Sequence, residues 1–231
     1  MGEVLFPRVV QKLTFPLLVD PIFANNTWED IIRACQQNKV PDAWAVGSQK
    51  NMVINGKEYA IDIIGKNHDA YADGSGFAPL TFQLHDCYTK YAMNNTNTNV
   101  GGWGESAMRN TNMPKILALM PPVVREGIRE VHKLTSDGTI EIVTTADKLF
   151  LLSEVEIFGT DTWAERGEGR RYEFYKTGGN AVKMLNGVAA DWWVRSPNKD
   201  NTKFFCGVTP TGESAYYTTS SLFGVAPAFC F

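Results

Sequence analysis

The sequence predicts an α+β fold of short antiparallel strands, two or more helices and long loops. Three observations predict it. The first is the C-terminal stretch Asp191–Phe231, an apolar and aromatic frame broken by polar inserts. The second is the pair of runs Met52–Ile54 and Glu58–Ile64 around Asn55-Gly56, the strongest short-range hairpin signal. The third is a set of apolar residues at helical spacing, Trp28, Ile31, Ile32 and Cys35. An aromatic share of 12%, with 6 Trp and 13 Phe, fits a loop-rich β or α+β chain held together by rings.

Composition narrows the function classes. At 231 residues the chain can bury a sizeable core, and 44% hydrophobic against 20% charged residues is globular rather than disordered. A net charge of -3 argues against bulk nucleic-acid binding, which needs a basic face. No stretch approaches the roughly 20 apolar residues that span a bilayer, so no membrane insertion is expected. The N-terminus lacks the basic start, apolar run and small-residue cleavage site of a secretory signal. An extracellular location therefore requires another route out of the cell. Cys35, Cys87, Cys206 and Cys230 have no CxxC spacing and no His at ligand spacing, so no zinc site is expected. Cys206 and Cys230 sit within apolar strand patterns, as small buried hydrophobes do, and a single disulfide is the minor alternative.

In chain order, residues 1–26 read as an N-terminal arm, extended over Met1–Pro21 by Pro7 and Pro16. Such an arm either packs on another subunit or frays. Thr27 with Asp30 resembles a capping box opening a helix to about Asn38. Ala43–Gly47 reads as a strand ending at glycine, then comes the Asn55-Gly56 hairpin. Asn67–Gly76 collects His68, Asp69 and Asp73 in a Gly-rich loop. A Ca²⁺ site is one reading, but only two acids are offered, and turn capping is preferred. Leu80–Leu84 alternates as a strand. His85-Asp86 gives little ground for catalysis, because adjacent residues do not face each other and no nucleophile context accompanies them.

Met93–Gly104 reads as a polar loop and Glu105–Met120 as a helix that Pro114 interrupts or restarts, with a second short helix at Val123–Glu130. Val131–Leu134 and Thr139–Thr145 form a second hairpin about Ser136-Asp137-Gly138, and Lys148–Leu152 is a buried strand. On a strand, Glu154 and Glu156 would share a face. An acid/base pair is one reading, but a structural role, with one of them holding Arg195 or Arg171, is preferred. Thr160–Gly179 reads as a solvated loop in which Tyr172–Tyr175 packs back on the core, and Asn180–Asn186 as a helical turn. Trp192–Pro197, Phe204–Val208 and Val225–Phe231 are the closing strands, with turn chemistry at Pro210-Thr211-Gly212.

Several stretches together resemble a domain family of gut bacteria and their phages. They are Leu151–Gly159 (a Ser-Glu-x-Glu-x-Phe-Gly ending), Trp192–Pro197 (Trp-Trp-x-Arg-Ser-Pro), Gly224–Phe229, Ile63–Asp69 and Gly102–Arg109. The resemblance covers residues 27–231. The family's closing arginine is Ala226 here, so any ion pair of that arginine is lost. The family in turn looks like the C-type-lectin fold shared by formylglycine-generating enzymes and the variable proteins of diversity-generating retroelements. The calcium and sugar triplets of true C-type lectins are absent.

The resemblance implies a C-type-lectin-like domain over 27–231. It also implies a phage or prophage tail-associated receptor-binding protein, located in the virion or outside the cell and without cofactor or metal. Its expected partners are a host cell-surface glycan or protein, other tail subunits through the arm, and further copies of itself. A rigid frame presenting Tyr, Asn, Ser and Thr is recognition chemistry. The expected ligand-binding residues are Asn198, Lys199, Asp200, Asn201, Lys203, Tyr216, Tyr217, Thr218 and Ser220. The alternatives are a structural virion or surface subunit and, third, an enzyme of the formylglycine-generating type. The separation of Cys206 from Cys230 disfavours the enzyme, and a fold does not carry its chemistry with it.

Overall fold

The computed structural model describes residues 18–231. The expected arm therefore lies largely outside the described residues, and its described part is anchored by two buried side chains. Phe23, in a 3-10 turn at Phe23–Asn25, is buried, and Asn26 ties the segment together through Asp20, Ile22 and Phe23. The folded region thus begins before residue 27.

Helix α1 (Trp28–Gln36) starts with the expected capping box, Thr27 and Asp30 each accepting from the other's backbone N–H. Its buried face, Trp28, Ile31, Ile32 and Cys35, lies on a five-stranded sheet. That sheet contains β1 (Gln49–Ile54), β2 (Lys57–Lys66), β3 (Leu80–Leu84), β7 (Leu149–Phe150) and β14 (Ala228–Cys230), in the order β1-β2-β3-β14-β7. Asn55-Gly56 makes the β1–β2 turn with φ of 49° and 77°, the left-handed pair such a turn needs. Phe82 is the hub between helix and sheet, with ring centroids 6.0 Å from Trp28, 5.3 Å from Phe229 and 5.2 Å from Phe231. Rings packed at such offsets add to the burial of their own area.

The second sheet has the order β12-β11-β10-β13-β4, from β4 (Thr89–Tyr91), β10 (Trp192–Pro197), β11 (Phe204–Val208), β12 (Ser214–Thr218) and β13 (Phe223–Val225). All its pairs are antiparallel except β10 with β13. The stretch expected as one strand, Val225–Phe231, is divided. Ala226-Pro227 carries the chain from β13 in the second sheet to β14 in the first, because proline cannot continue a ladder. The polar insert Glu213–Ser221 contains an unforeseen strand, β12. Gly207 makes room for it: a Cβ there would lie 2.8 Å from the Trp192 carbonyl oxygen and 2.8 Å from the Tyr217 ring.

After β4 the chain forms α2 (Gly102–Glu105), a π-helical turn (Met108–Asn112), α3 (Met113–Leu119) and α4 (Pro122–Gly127). The expected restart near Pro114 occurs, since Pro is tolerated in a first helical turn. Then come the hairpin β5 (Val131–Ser136) with β6 (Ile142–Asp147), α5 (Glu154–Phe158), α6 (Glu173–Lys176), and a hairpin of β8 (Lys183–Leu185) with β9 (Val188–Ala190). The architecture is α+β with mainly antiparallel strands.

Three local expectations are corrected. Ala43–Gly47 is a turn and not a strand, because Trp44 is buried and its Nε1–H bonds the Asp20 carbonyl. Asn180–Asn186 is not a helical turn, since Asn186-Gly187, at φ of 54° and 81°, turns the β8–β9 hairpin. Ser153–Gly159 is helical: Ser153 and Glu156 form a capping box and Gly159, at φ 75°, ends the helix. The face-sharing expected of Glu154 and Glu156 on a strand therefore fails.

Candidate functional site

The expected binding residues lie in the β10–β11 connection, on strand β12 and in the turn after it, and the structure divides them. The β10–β11 connection is held from beneath by Asn99, whose Nδ2 donates to the carbonyls of Asn198 (3.0 Å), Asn201 (3.3 Å) and Phe204 (2.9 Å). Asn198 is buried and braces this loop, its Oδ1 accepting from the Asp200 N–H. Asp200, Asn201 and Lys203 are exposed on the loop, with Asn201 Oδ1 accepting from the Lys203 N–H. Lys199 is exposed, but its ammonium donates to the Asp161 carbonyl at 2.6 Å.

On β12, successive side chains take opposite faces of the sheet. Tyr216 is 41% exposed, edge-on to Trp163 at 4.8 Å and tilted against Phe204 at 5.3 Å. Tyr217 turns the other way, against Phe223 at 4.3 Å and Trp193 at 6.0 Å, with its hydroxyl donating to Asp191. Burial, then the Asp191 carboxylate, pushes the Tyr217 phenol up. Thr218 shares the Tyr216 face, while Ser220 is turned to Asn97. The structure thus joins Lys199, Tyr216 and Thr218 to two residues the sequence reading missed, Trp163 and Phe204. A lone Trp in an otherwise polar loop was the available signal.

Glu154 organises this face. Its Oε2 accepts from the N–H groups of Trp163 (2.9 Å) and Ala164 (2.7 Å), and its Oε1 accepts from the Ser214 hydroxyl on β12. The Lys199 N–H closes the arrangement on the Trp163 carbonyl at 2.9 Å. One buried carboxylate therefore fixes the loop carrying Trp163 relative to the strand carrying Tyr216.

Glu156 points into a buried charge network instead. Arg195 grips it with two hydrogen bonds, of 2.5 and 3.0 Å, and also caps the carbonyls of Leu151 and Leu134. Lys133 bridges Glu156 (2.7 Å) and Asp69 (2.6 Å), and reaches the Tyr172 hydroxyl at 2.9 Å. Burial alone would raise both carboxyls, but the adjacent cations outweigh it and hold Asp69 and Glu156 below the usual carboxylate range. The expected support of Arg195 by one of the two glutamates is thus found at Glu156.

His68, Asp69 and Glu156 bring ligand atoms within 4.8 Å of one another, as a metal site would. The Lys133 ammonium already lies between the two carboxylates, so two negative charges face two buried cations. A metal ion there would have to displace a saturated lysine, and the donor set does not fit one. Capping geometry is present in the same loop at Asp73, whose carboxylate accepts from the Ser75 N–H and from Arg129.

Glu168 is the odd acid. It is buried, its Oε1 accepts from the Ser136 N–H (2.7 Å) and the Thr135 hydroxyl (3.0 Å), and its Oε2 has no partner. Burial raises its carboxyl to about 7, with Arg195 and the neighbouring donors opposing. His85 is bonded not to its neighbour Asp86 but to buried Asp62, at 2.8 Å, which raises the imidazole.

Neither the curated proteins nor the solved structures include one that matches this chain. No helix among the described residues is long and apolar enough to cross a membrane. Residues 81–231 match the family described as a domain of unknown function, DUF6273. That match takes in α2 to α6 and the whole second sheet, and with more than half of the sequence inside it the chain belongs to the DUF6273 family.

Proposed function

We propose that this chain is a receptor-binding module with a C-type-lectin-like fold that attaches a phage or prophage tail to a glycan or protein on the host cell surface. The observation that carries the binding reading is the face built by Tyr216, Trp163 and Phe204. Three rings stand at the edge of the second sheet, partly open to solvent, and are fixed from behind by Glu154 rather than left to move. Rigid aromatic rings offer contact area at little entropic cost, and Lys199, Asp200 and Thr218 beside them supply polar direction. The tail location rests on the resemblance of residues 27–231.

The test is binding of purified protein to intact gut-bacterial cells, compared with Tyr216→Ala and Trp163→Ala variants whose circular dichroism and melting match the parent. Loss of binding in folded variants supports a receptor-binding face at this position. Unchanged binding removes the face from consideration. Absence of binding by the parent across a broad strain panel favours the structural-subunit reading.

A further inference from the structure

The second face of β12 leads to a different feature. Tyr217 packs on Phe223, and Phe223 with Asp191 forms one wall of a cleft of about 840 Å³. Four separate parts of the chain converge on it: the start of β2 at Lys57 and Tyr59, the Tyr88–Lys90 run into β4, the β8–β9 hairpin, and the Leu222-Phe223 turn.

Its chemistry is mixed in a particular way. Tyr59 and Tyr88 pack at 5.3 Å, and burial raises both phenols, so their hydroxyls stay protonated. Lys57 lies over the Tyr59 ring at 5.2 Å, and among the described residues its ammonium makes one polar contact, a 3.4 Å approach to Asn186 Oδ1. Lys90 is exposed and makes no hydrogen bond or ion pair among the described residues. Two cations thus border the cleft, and neither is ion-paired with an acid among the described residues. Asp191, the acid in the lining, is engaged by the Tyr217 hydroxyl. Val188 and Leu222, exposed at 69% and 63%, add carbon surface at the rim.

We propose that this cleft is a second binding site, for a carboxylate-bearing saccharide. The rings and rim offer flat carbon surface to the C–H face of a sugar. The phenols, Asn186 and Thr89 offer donors and acceptors to its hydroxyls, and the two ammonium groups, which outnumber the Asp191 carboxylate in the lining, select an acidic sugar over a neutral one. The chain carries a net charge of -3, so this local excess of positive charge is a feature of the cleft and not of the surface as a whole. The site is separate from the Tyr216 face.

The experiment is titration calorimetry of the full chain at low salt with an oligogalacturonate, beside its methyl ester, which keeps the rings and removes the charge. The expected result is binding of the acid form, weaker for the ester. It should weaken roughly tenfold for each of Lys57→Ala and Lys90→Ala, the loss of about one charge-assisted hydrogen bond. Both lysines are surface groups, so the variants fold. Tyr216→Ala, which removes the other face, should leave this binding unchanged. No heat with the acid form, equal affinity for acid and ester, or indifference to both lysine substitutions overturns the proposal. Loss of saccharide binding in Tyr216→Ala alone would assign the ligand to the aromatic face instead.

Discussion

Glu168→Gln isolates the least comfortable group in the interior. The carboxyl is fully buried, accepts two hydrogen bonds at one oxygen, and has an unpartnered second oxygen. Its pKa rises from 4.5 to about 7 on folding. A raised acid favours the folded state while it is protonated. Its contribution is complete below 4.5 and is lost as pH rises through about 7. At about 1.36 kcal/mol per pH unit, that interval amounts to roughly 3 kcal/mol. Glutamine copies the shape of the neutral acid and keeps an oxygen for Ser136 and Thr135, but cannot ionise. The stability of Glu168→Gln minus that of the parent, from urea unfolding, should therefore grow by roughly 2–3 kcal/mol between pH 5 and pH 8. In a domain of this size that is about 5–10 °C in melting temperature. His68 and His85 are shared by both proteins, so their titrations cancel in the difference. A difference that stays constant from pH 5 to pH 8 would refute the assignment of a buried, proton-holding carboxyl.

Further outcomes follow from the same interior. Arg195→Met and Glu156→Gln should each cost about 3–5 kcal/mol, because each leaves buried charge without its partner, whereas replacing both together with apolar residues should cost less than the sum; urea unfolding of the three variants checks this. In a proton-carbon titration by NMR, His68 should titrate below 6.5, because burial against Tyr172 disfavours its cation, and His85 above 6.5, because Asp62 bonds it. All four cysteines are buried and unpaired, with Cys35 and Cys87 raised to about 12 by burial. An aromatic disulfide reagent should count no fast thiol in the native protein and four after denaturation. Gly207→Ala should destabilise by about 1–3 kcal/mol, since its methyl group meets backbone and the Tyr217 ring at 2.8 Å.

Much of the fold was legible where a local signal and its tertiary role agree. Asn55-Gly56, the Thr27–Asp30 capping box and the proline restart near Pro114 all act within a few residues. Asn186-Gly187 carried the same hairpin signal and was passed over because its flanking strands are only three residues each. Ser153–Gly159 was misread because alternating glutamates look like a strand face, although Ser153 three residues before Glu156 spells a helix start. The site was less legible. Lys133 stands between His132 and Leu134 on β5, and nothing local says that the lysine turns inward while the leucine is 43% exposed. That choice is made by Asp69 and Glu156, 64 residues before it and 23 after. Likewise Tyr216-Tyr217 reads as one aromatic patch until strand alternation sends the rings to opposite sides.

The crossing at Ala226-Pro227 has a consequence for how the protein assembles. Residues 223–230 supply an interior strand to each large sheet: β13 lies between β10 and β4, and β14 lies between β3 and β7. Until those eight residues arrive, β3 and β10 are open edges, and β3 is a strand that is buried along its whole length in the finished fold. During synthesis the chain must hold two unfinished sheets while more than two hundred residues wait for a short closing segment. Pairings this distant along the chain slow folding and expose strand edges to other molecules. Prompt closure by residues 223–230 is therefore the step that protects a nascent chain from aggregation.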